Sequence, residues 1–421
     1  MPAPTTTSTF SQGAIERLQT LIKESVKDSH RDIPGVSVAI TNSKGDDLFQ
    51  YAAGKKGADS DEELTTDSIF WIASCTKLLA SIALMQLVEK GVVDLDSSEQ
   101  IEKYIPELKN LPIASNDEET NGLKLKPSTQ KITLRHLLSH TSGLGYSFFS
   151  DVLKKYTKFF HIDEFDVSHE RELLLPLLFE PGSNWAYGVG IDWAGVLLQR
   201  VTGQSLNDFI TEHILNPLGV EESGMEPNET LRQKFVQMSY RDKTGKLSST
   251  DHIYKKVIAG DYEKYFHSGG AGVFSKPKEY IKVLATILND GVSPKTGERI
   301  LQKETIDSMF VNQIQENPNF GRAGIESADE FLTNSIPDIY PQGDKPQGWG
   351  LSMYLNLHKT STGRGNNSGW WCGLANLFWW IDRENDIAGF VGAQILPFAD
   401  LNVMTLWFNI EKEIYSDLWK I

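Results

Sequence analysis

The feature that most constrains the fold is a nearly all-apolar stretch from Leu78 to Val88, which begins directly after Lys77. At helical spacing its residues leave only a narrow polar strip, and Gly91 supplies a stop, so the stretch predicts a helix buried on almost every side. Buried lysines are rare unless they are paired. The sequence therefore predicts a core helix whose first turn holds a buried lysine that is either paired with another group or functional.

Ser74 precedes Lys77 by three residues, so the two side chains share one face of this helix. A lysine that sheds its proton in a dry pocket can activate a serine hydroxyl, which makes Ser74 a candidate nucleophile and Lys77 its base. The alternative is purely structural, with Ser74 capping the helix and Lys77 reaching solvent. The same Ser-x-x-Lys spacing recurs at Ser128 and Ser275, where a polar stretch and a nearby proline favour a loop and a helix N-cap.

Length and charge restrict the class of protein. A chain of 421 residues with 40% hydrophobic residues can bury a sizeable core, and a net charge of -15 opposes phosphate backbones and anionic lipids. The N-terminal segment lacks the basic and apolar regions of a signal peptide, and no run of about twenty apolar residues occurs. We therefore expect a soluble, cytoplasmic protein that binds neither nucleic acid nor membranes.

Several chemistries are excluded by their missing motifs. The sequence contains no H-E-x-x-H, C-x-x-C, Walker or G-x-S-x-G pattern, and its nine histidines show no ligand spacing, so no metal or cofactor is predicted. We interpret His140 as a hydrogen-bonded structural residue. Two cysteines, Cys75 and Cys372, are too few for a disulfide framework. We interpret them as packing residues, with redox-sensitive thiols near Ser74 as the alternative.

The predicted elements place strands at both ends of the chain and helices with long polar connections between them. They are a helix over 11–30, a hairpin of VSVAI and DLFQYAAG, the helix after Ser74, helices over 192–200 and 205–214, strands over 349–357, 370–381 and 387–395, and a helix over 400–419.

This order predicts one sheet assembled from N-terminal and C-terminal segments. The fold class is then α/β (α+β), with a sheet domain of residues 10–100 and 265–421, a mostly helical insertion of residues 101–264 and a flexible N-terminus of residues 1–9. A ligand is expected in the crevice between the two domains.

Four segments in order resemble the serine β-lactamase and penicillin-binding-protein superfamily: IPGVSVAI, the Ser-x-x-Lys helix, ITLRHLLSHTSGL and PGSNWAYG. The likeness continues through SGGAGVFS and GAQILP and covers nearly the whole chain. Within this superfamily the sequence resembles in particular the class C-like branch, which includes family VIII carboxylesterases and fungal lovastatin-type acyltransferases. The resemblance implies a β-lactamase/transpeptidase-like fold, an antiparallel sheet flanked by helices, and a role in secondary metabolism.

The resemblance also assigns roles. It implies that Ser74 is acylated, that Lys77 is the neighbouring base and that Tyr187 is the third catalytic group, while the backbone N–H groups of Ser74 and Leu374 form an oxyanion hole. Amine and phenol both have an ordinary pKa of about 10, and a shared buried site can change both, so either could accept the Ser74 proton.

Two departures from the superfamily concern the substrate. Trp371-Cys372-Gly373 replaces a motif that normally begins with Lys or His, and Val189 stands where β-lactamases carry an asparagine. Both changes favour uncharged esters or thioesters over antibiotics. The residues expected to bind substrate flank the motifs, whereas Trp379 and Trp380 are expected in the core; the substrate-binding set is Trp71, Tyr146, Trp349, Trp371 and Gly373.

The expected function is that of a serine esterase or acyltransferase that forms an acyl-Ser74 intermediate and passes the acyl group to water or an alcohol. Its expected partners are an ester or thioester donor, an alcohol acceptor or a carrier-bound acyl group. One alternative is a β-lactamase or D-alanyl peptidase. The other is a non-catalytic acyl- or polyketide-binding protein on the same scaffold.

Overall fold

The computed structural model describes residues 8–261, 265–322, 324–339 and 345–420. Its strands are β1 Ser8–Thr9, β2 Gly35–Thr41, β3 Asp47–Gly54, β4 Phe70–Trp71, β5 Pro112–Asp117, β6 Gly122–Pro127, β7 Ser239–Arg241, β8 Leu247–Ser249, β9 Phe274–Ser275, β10 Gly348–Trp349, β11 Tyr354–Asn356, β12 Ser368–Gly373, β13 Leu377–Asp382, β14 Ile387–Gly392, β15 Ile395–Leu396 and β16 Trp419–Lys420.

The α-helices in these residues are α1 Gln12–Glu24, α2 Thr76–Glu89, α3 Ser98–Tyr104, α4 Leu134–Leu138, α5 Asp151–Phe160, α6 Gly190–Thr202, α7 Leu206–Ile210, α8 Glu229–Arg232, α9 Lys255–Ala259, α10 Pro277–Leu288, α11 Lys303–Met309 and α12 Leu401–Asp417. Short 3₁₀ turns precede or join several of them, among them Ala73–Cys75 and Ser147–Phe149.

A seven-stranded antiparallel sheet, in the order β10-β11-β12-β13-β14-β2-β3, is the centre of the fold. The predicted assembly from both chain ends is confirmed, because N-terminal β2 pairs with C-terminal β14 along its length. Strands β2, β12, β13 and β14 are buried throughout. They are covered on both faces, with Tyr280 of α10 on Phe390 and Trp407 of α12 stacked on Phe378.

Two predicted strands are interrupted. The strand expected over 370–381 is a hairpin, β12 and β13, whose turn includes Asn376 at a φ of +64°. The strand expected over 349–357 is likewise two short strands, β10 and β11, separated by Ser352 at a φ of +74°. Both sequences are mainly apolar, and the isolated polar residues Asn376 and Ser352 do not change the periodicity enough to predict a reversal.

The region of residues 101–264 carries α3 to α9 together with the hairpins β5–β6 and β7–β8. Strand β7 also pairs in parallel with β15, which links this region to the segment that follows β14. The N-terminus differs from the expected flexible segment at Ser8 and Thr9, because β1 pairs with β16 and Ser8 is buried. Residues 1–7 lie outside the described residues.

Candidate active site

The predicted nucleophile lies in a constrained turn at the start of the core helix. Ser74 occupies the 3₁₀ turn that leads into α2, and Ala73 before it has a φ of +44°. A left-handed alanine stores about 1–3 kcal/mol of strain, which surrounding contacts must hold. The segment 268–273 supplies them, because the N–H of Ile72 donates to Val273 O at 3.1 Å and the N–H of Val273 donates to Thr76 Oγ1 at 3.0 Å.

Lys77 is buried with only 1% of its surface exposed, as its helix predicts. Its Nζ lies 3.0 Å from Ser74 Oγ, 2.9 Å from the Tyr146 hydroxyl and 2.9 Å from the Gly270 carbonyl oxygen. A carbonyl can only accept, so one N–H of the amine points to Gly270 in either charge state. In the neutral amine a second N–H can serve Tyr146, which leaves the lone pair for the Ser74 hydroxyl.

Burial lowers the pKa of the Lys77 amine to about 8, against an opposing effect of the Asp192 carboxylate. Desolvation disfavours an ammonium, whereas a buried negative charge nearby favours it. A base works best when its pKa lies close to the working pH. The amine of Lys77 is thus matched to accept a proton near neutrality.

The Tyr187 hydroxyl lies in the same cleft as Ser74, whose side chain lowers the pKa of the phenol. This hydroxyl accepts the indole N–H of Trp371 at 2.9 Å. Burial raises the pKa of this phenol well above its ordinary value, and the opposing effects of Ser74 and Trp371 offset the rise only in part. Lys77 Nζ also lies 4.7 Å from the centre of the Tyr187 ring. The three predicted catalytic side chains are therefore brought together.

The two backbone N–H groups expected to form an oxyanion hole lie where the end of β12 packs on the nucleophile turn. Gly373 packs so closely on the nucleophile turn that an added Cβ would come within 2.6 Å of Ile72 O. This contact brings Leu374 beside Ser74, and both residues line one cleft. Among the described residues, neither N–H donates to a protein acceptor, which leaves both available to a substrate oxygen.

Ser74 opens into an apolar cleft with about 760 Å³ of free space, part of which is open to solvent. No charged side chain is found among the described residues that line it. They are Trp71, Ala73, Ser74, Tyr146, Phe148, Phe149, Phe165, Tyr187, Ala271, Ile325, Ile336, Ile339, Trp370, Trp371, Cys372, Leu374, Phe378, Phe398, Ala399, Met404 and Trp407.

The cleft includes some of the predicted substrate-binding residues and omits others. Trp71, Tyr146 and Trp371 line it. Trp349 lies behind Trp371, with ring centres 4.6 Å apart, and is completely buried. Gly373 lies under the nucleophile turn, where it is a close-packing residue. These two predicted binding positions thus support the wall of the cleft without forming its surface.

Two residues near Lys77 have roles that the sequence did not predict. Tyr146, expected only to bind substrate, places its hydroxyl on the amine. Asp192, not singled out, is buried in α6 and its carboxylate accepts from Gly270 N at 2.9 Å and from the Ser268 hydroxyl. A signal existed for Asp192, because an aspartate between Ile191 and Trp193 in an apolar helix is seldom fully buried without partners.

The cysteines and His140 fit their structural interpretations. Cys75 and Cys372 are buried free thiols, and burial raises the pKa of both, which disfavours the reactive thiolate. His140 is buried and accepts the N–H of Gly188 through Nδ1 at 3.4 Å. Burial lowers the pKa of this imidazole well below its ordinary value. Trp379 and Trp380 are fully buried, as expected.

The fold and the site define a member of the β-lactamase family. The family profile described as beta-lactamase matches residues 18–404, and the chain belongs to this family. The superfamily expected from the sequence is thereby confirmed.

Its relatives are acyltransferases and esterases. The chain is 30% identical over 417 residues, 95% of each chain, to monacolin J acid methylbutanoyltransferase of Aspergillus terreus (strain NIH 2624 / FGSC A1156). It is 30% identical over 406 residues, 92% of this chain and 96% of the relative, to lovastatin esterase of Penicillium rubens. A mutant simvastatin synthase from Aspergillus terreus superposes with a TM-score of 0.80 at 28% identity, over 96% of this chain and 95% of the other. The protein is a serine hydrolase or transesterase.

Proposed function

We propose that Ser74 is acylated by an uncharged ester or thioester and that the acyl group then passes to water or to an alcohol. One observation carries the proposal. The Ser74 hydroxyl lies 3.0 Å from the amine of Lys77 and opens into an uncharged cleft that Tyr187 also lines.

In the acylation step Lys77 is the base. As Ser74 Oγ attacks the substrate carbonyl, its proton passes to the lone pair of the neutral amine, and a C–O bond forms to Oγ. The pKa of about 8 supports this role for Lys77. The raised pKa of the Tyr187 phenol argues against a phenolate base in the resting enzyme.

The carbonyl oxygen becomes an oxyanion between the N–H groups of Ser74 and Leu374. Donors of this kind each stabilise a transition state by about 3–4 kcal/mol. The bond to the leaving group then breaks, and its oxygen or sulfur receives a proton from Tyr187. The Lys77 ammonium, which holds the proton taken from Ser74, gives that proton to the Tyr187 phenolate, so that charge and protons balance over acylation.

Deacylation repeats these steps with a different nucleophile. Water or an alcohol loses its proton to the restored site, attacks the acyl-Ser74 carbonyl and releases Ser74. An apolar cleft that retains an alcohol and excludes water favours transfer over hydrolysis. The relatives named for methylbutanoyl transfer and for lovastatin ester cleavage support a short acyl group and an alcohol acceptor for this chain as well.

The antibiotic-cleaving alternative is less well supported. Trp371 occupies the position where the superfamily carries a cation, and its indole N–H is used on Tyr187. With no charged side chain on the described cleft wall, a β-lactam carboxylate has no ion-pair partner there. We accordingly propose esters, and not β-lactams or D-alanyl peptides, as substrates.

Intact-protein mass spectrometry after mixing with p-nitrophenyl butanoate tests the proposal. The unaltered chain gains the mass of one butanoyl group, and Ser74→Ala gains none. Ser128→Ala removes the serine of a second Ser-x-x-Lys motif and is the matched control. The Ser128 hydroxyl donates to the Glu180 carboxylate and does not belong to the turn before α2. No adduct on the unaltered chain, or an adduct that survives Ser74→Ala, would falsify the proposed nucleophile.

We also propose a cytoplasmic location. Within the described residues no helix has the length and apolar character needed to cross a bilayer. Both cysteines are free thiols, as a reducing compartment favours. Fractionation of the source cells with an antibody to the chain tests this, and recovery from the medium or the membrane pellet contradicts it.

A further inference from the structure

Besides the hydrogen bond from Ile72, three contacts join the segment 268–273 to the residues around the catalytic turn. Gly270 O accepts from Lys77 Nζ at 2.9 Å, Ala271 O accepts the indole N–H of Trp71 at 2.6 Å, and Val273 N donates to Thr76 Oγ1 at 3.0 Å. The position of this segment therefore determines where the amine of Lys77 lies relative to Ser74.

The carboxylate of Asp192, on α6, anchors the beginning of this segment. Its Oδ1 accepts from Gly270 N at 2.9 Å and from the Ser268 hydroxyl, and that hydroxyl in turn accepts from Ala271 N at 2.9 Å. The fit excludes any side chain at position 270, where an added Cβ would lie 2.2 Å from Asp192 Oδ2. Residue 270 thus donates to Asp192 through its N–H and accepts from Lys77 through its carbonyl.

We propose that Asp192 is a positioning residue for the reaction at Ser74: its carboxylate anchors Gly270 against Lys77 and is the buried counter-charge of the Lys77 ammonium. This inference rests on the proposed function. Anchoring fixes the direction of one N–H of the amine, which leaves the lone pair aimed at Ser74 once the proton is lost. The counter-charge stabilises the protonated amine between turnovers.

The electrostatics around the pair agree with this role. Asp192 is the carboxylate that opposes the desolvation of Lys77, and Lys77 in turn opposes the burial that raises the pKa of Asp192. The other titratable groups that influence one or both are Cys75, His140, Tyr146, Glu164, Tyr187, Tyr254 and Cys372. Burial disfavours the charged form of every one of them, so Asp192 and Lys77 form the main charge pair of this interior.

The test measures the protonation of Lys77 directly, apart from activity. Protein labelled with ¹³Cε-lysine is titrated by NMR, and the Lys77 signal is assigned by its loss in Lys77→Arg. Asp192→Asn keeps an oxygen for Gly270 N but removes the charge. We expect its Lys77 midpoint to fall below that of the unaltered chain by about one pH unit or more, and the acid limb of kcat/KM for p-nitrophenyl butanoate to move by the same amount.

Ser268→Ala is the matched variant, because it removes one anchor and keeps the charge. We expect kcat to fall several-fold, whereas the pH midpoint of Lys77 and the KM stay unchanged. An unshifted Lys77 midpoint in Asp192→Asn overturns the counter-charge role of Asp192. An undiminished kcat in Ser268→Ala overturns the anchoring role. The second test still applies if Asp192→Asn fails to fold. If the unaltered chain forms no acyl adduct while the NMR midpoint still shifts, the proposed function fails and the coupling of Asp192 to Lys77 stands.

Discussion

At the level of single residues, one buried environment gives Lys77 and Tyr187 different roles. Desolvation favours the neutral form of each group, so it lowers the pKa of the amine to about 8 and raises that of the phenol. A neutral amine is a base and a neutral phenol is an acid. The sequence left the choice of base open, because the motif spacing identifies both groups but does not give the polarity around them.

The pH dependence of acylation follows from the Lys77 amine. We expect kcat/KM for an activated ester to rise with pH and level off, with a midpoint near 8, because only the neutral amine accepts the Ser74 proton. Stopped-flow release of p-nitrophenol between pH 5.5 and 9.5 measures this. A midpoint at pH 4 to 5 would instead indicate a carboxylate base.

Trp371 contributes a polar group as well as an apolar ring. Its indole N–H donates to Tyr187 at 2.9 Å, so Trp371→Phe keeps an aromatic wall but loses the bond that orients the phenol. We expect kcat to fall by about tenfold, the value of one hydrogen bond of about 1.4 kcal/mol, with KM within about twofold. Steady-state kinetics on p-nitrophenyl butanoate measure both constants. A change in KM alone shows that Trp371 only contacts substrate.

Among the elements, those with a local signal were predicted and those set by long-range packing were not. Helix α2 follows from its apolar run, and β2 and β3 follow from alternation around the turn at Lys44–Asp46. The turn between β12 and β13 was missed, although it positions Leu374. Gly373 and Asn376 are weak turn signals in an otherwise apolar run, and the reversal becomes evident only from the pairing of Cys372 with Phe378.

The 3₁₀ turn Ser147–Phe149, whose aromatic residues line the cleft, is held by a buried carboxyl. Glu164 accepts from the N–H of Ser147 at 3.0 Å and 3.1 Å and from its hydroxyl, while burial raises the pKa of this carboxyl to about 7. The folded protein thus binds a proton here more tightly than the unfolded chain. The resulting stability is complete below pH 4.5 and is lost as the pH rises through about 7.

Glu164→Gln should remove this dependence. Between pH 4.5 and 7 the Glu164 contribution to the free energy of unfolding falls by roughly 3 kcal/mol in the unaltered chain, and the variant lacks that fall. Urea titrations followed by tryptophan fluorescence at several pH values measure the difference. The exposed Glu118→Gln is the control and should follow the unaltered chain. Parallel curves for Glu164→Gln and the unaltered chain contradict the assignment.

Over the whole molecule, the site is assembled from segments that the fold brings together from distant parts of the chain. Ser74 and Lys77 are neighbours in sequence, but Tyr146, Asp192 and Gly270 reach them only through tertiary packing. The resemblance supplied Tyr187 and Leu374 because those positions belong to recognisable motifs. Asp192 was not predicted as a site residue, because its role depends on the segment that packs against it.

The cleft as a whole favours substrates with apolar acyl chains over substrates with charged ones. Its described walls hold mainly aromatic and aliphatic side chains and no charged one. We expect kcat/KM for p-nitrophenyl esters to rise by about fourfold for each methylene from acetate to hexanoate, since burying a methylene yields about 0.8 kcal/mol. The p-nitrophenyl monoester of succinate should be at least about 100-fold poorer than the pentanoate, because its carboxylate loses water without gaining a cation. Rates are corrected with Ser74→Ala, and equal rates for these two esters would show that the acyl chain remains in solvent.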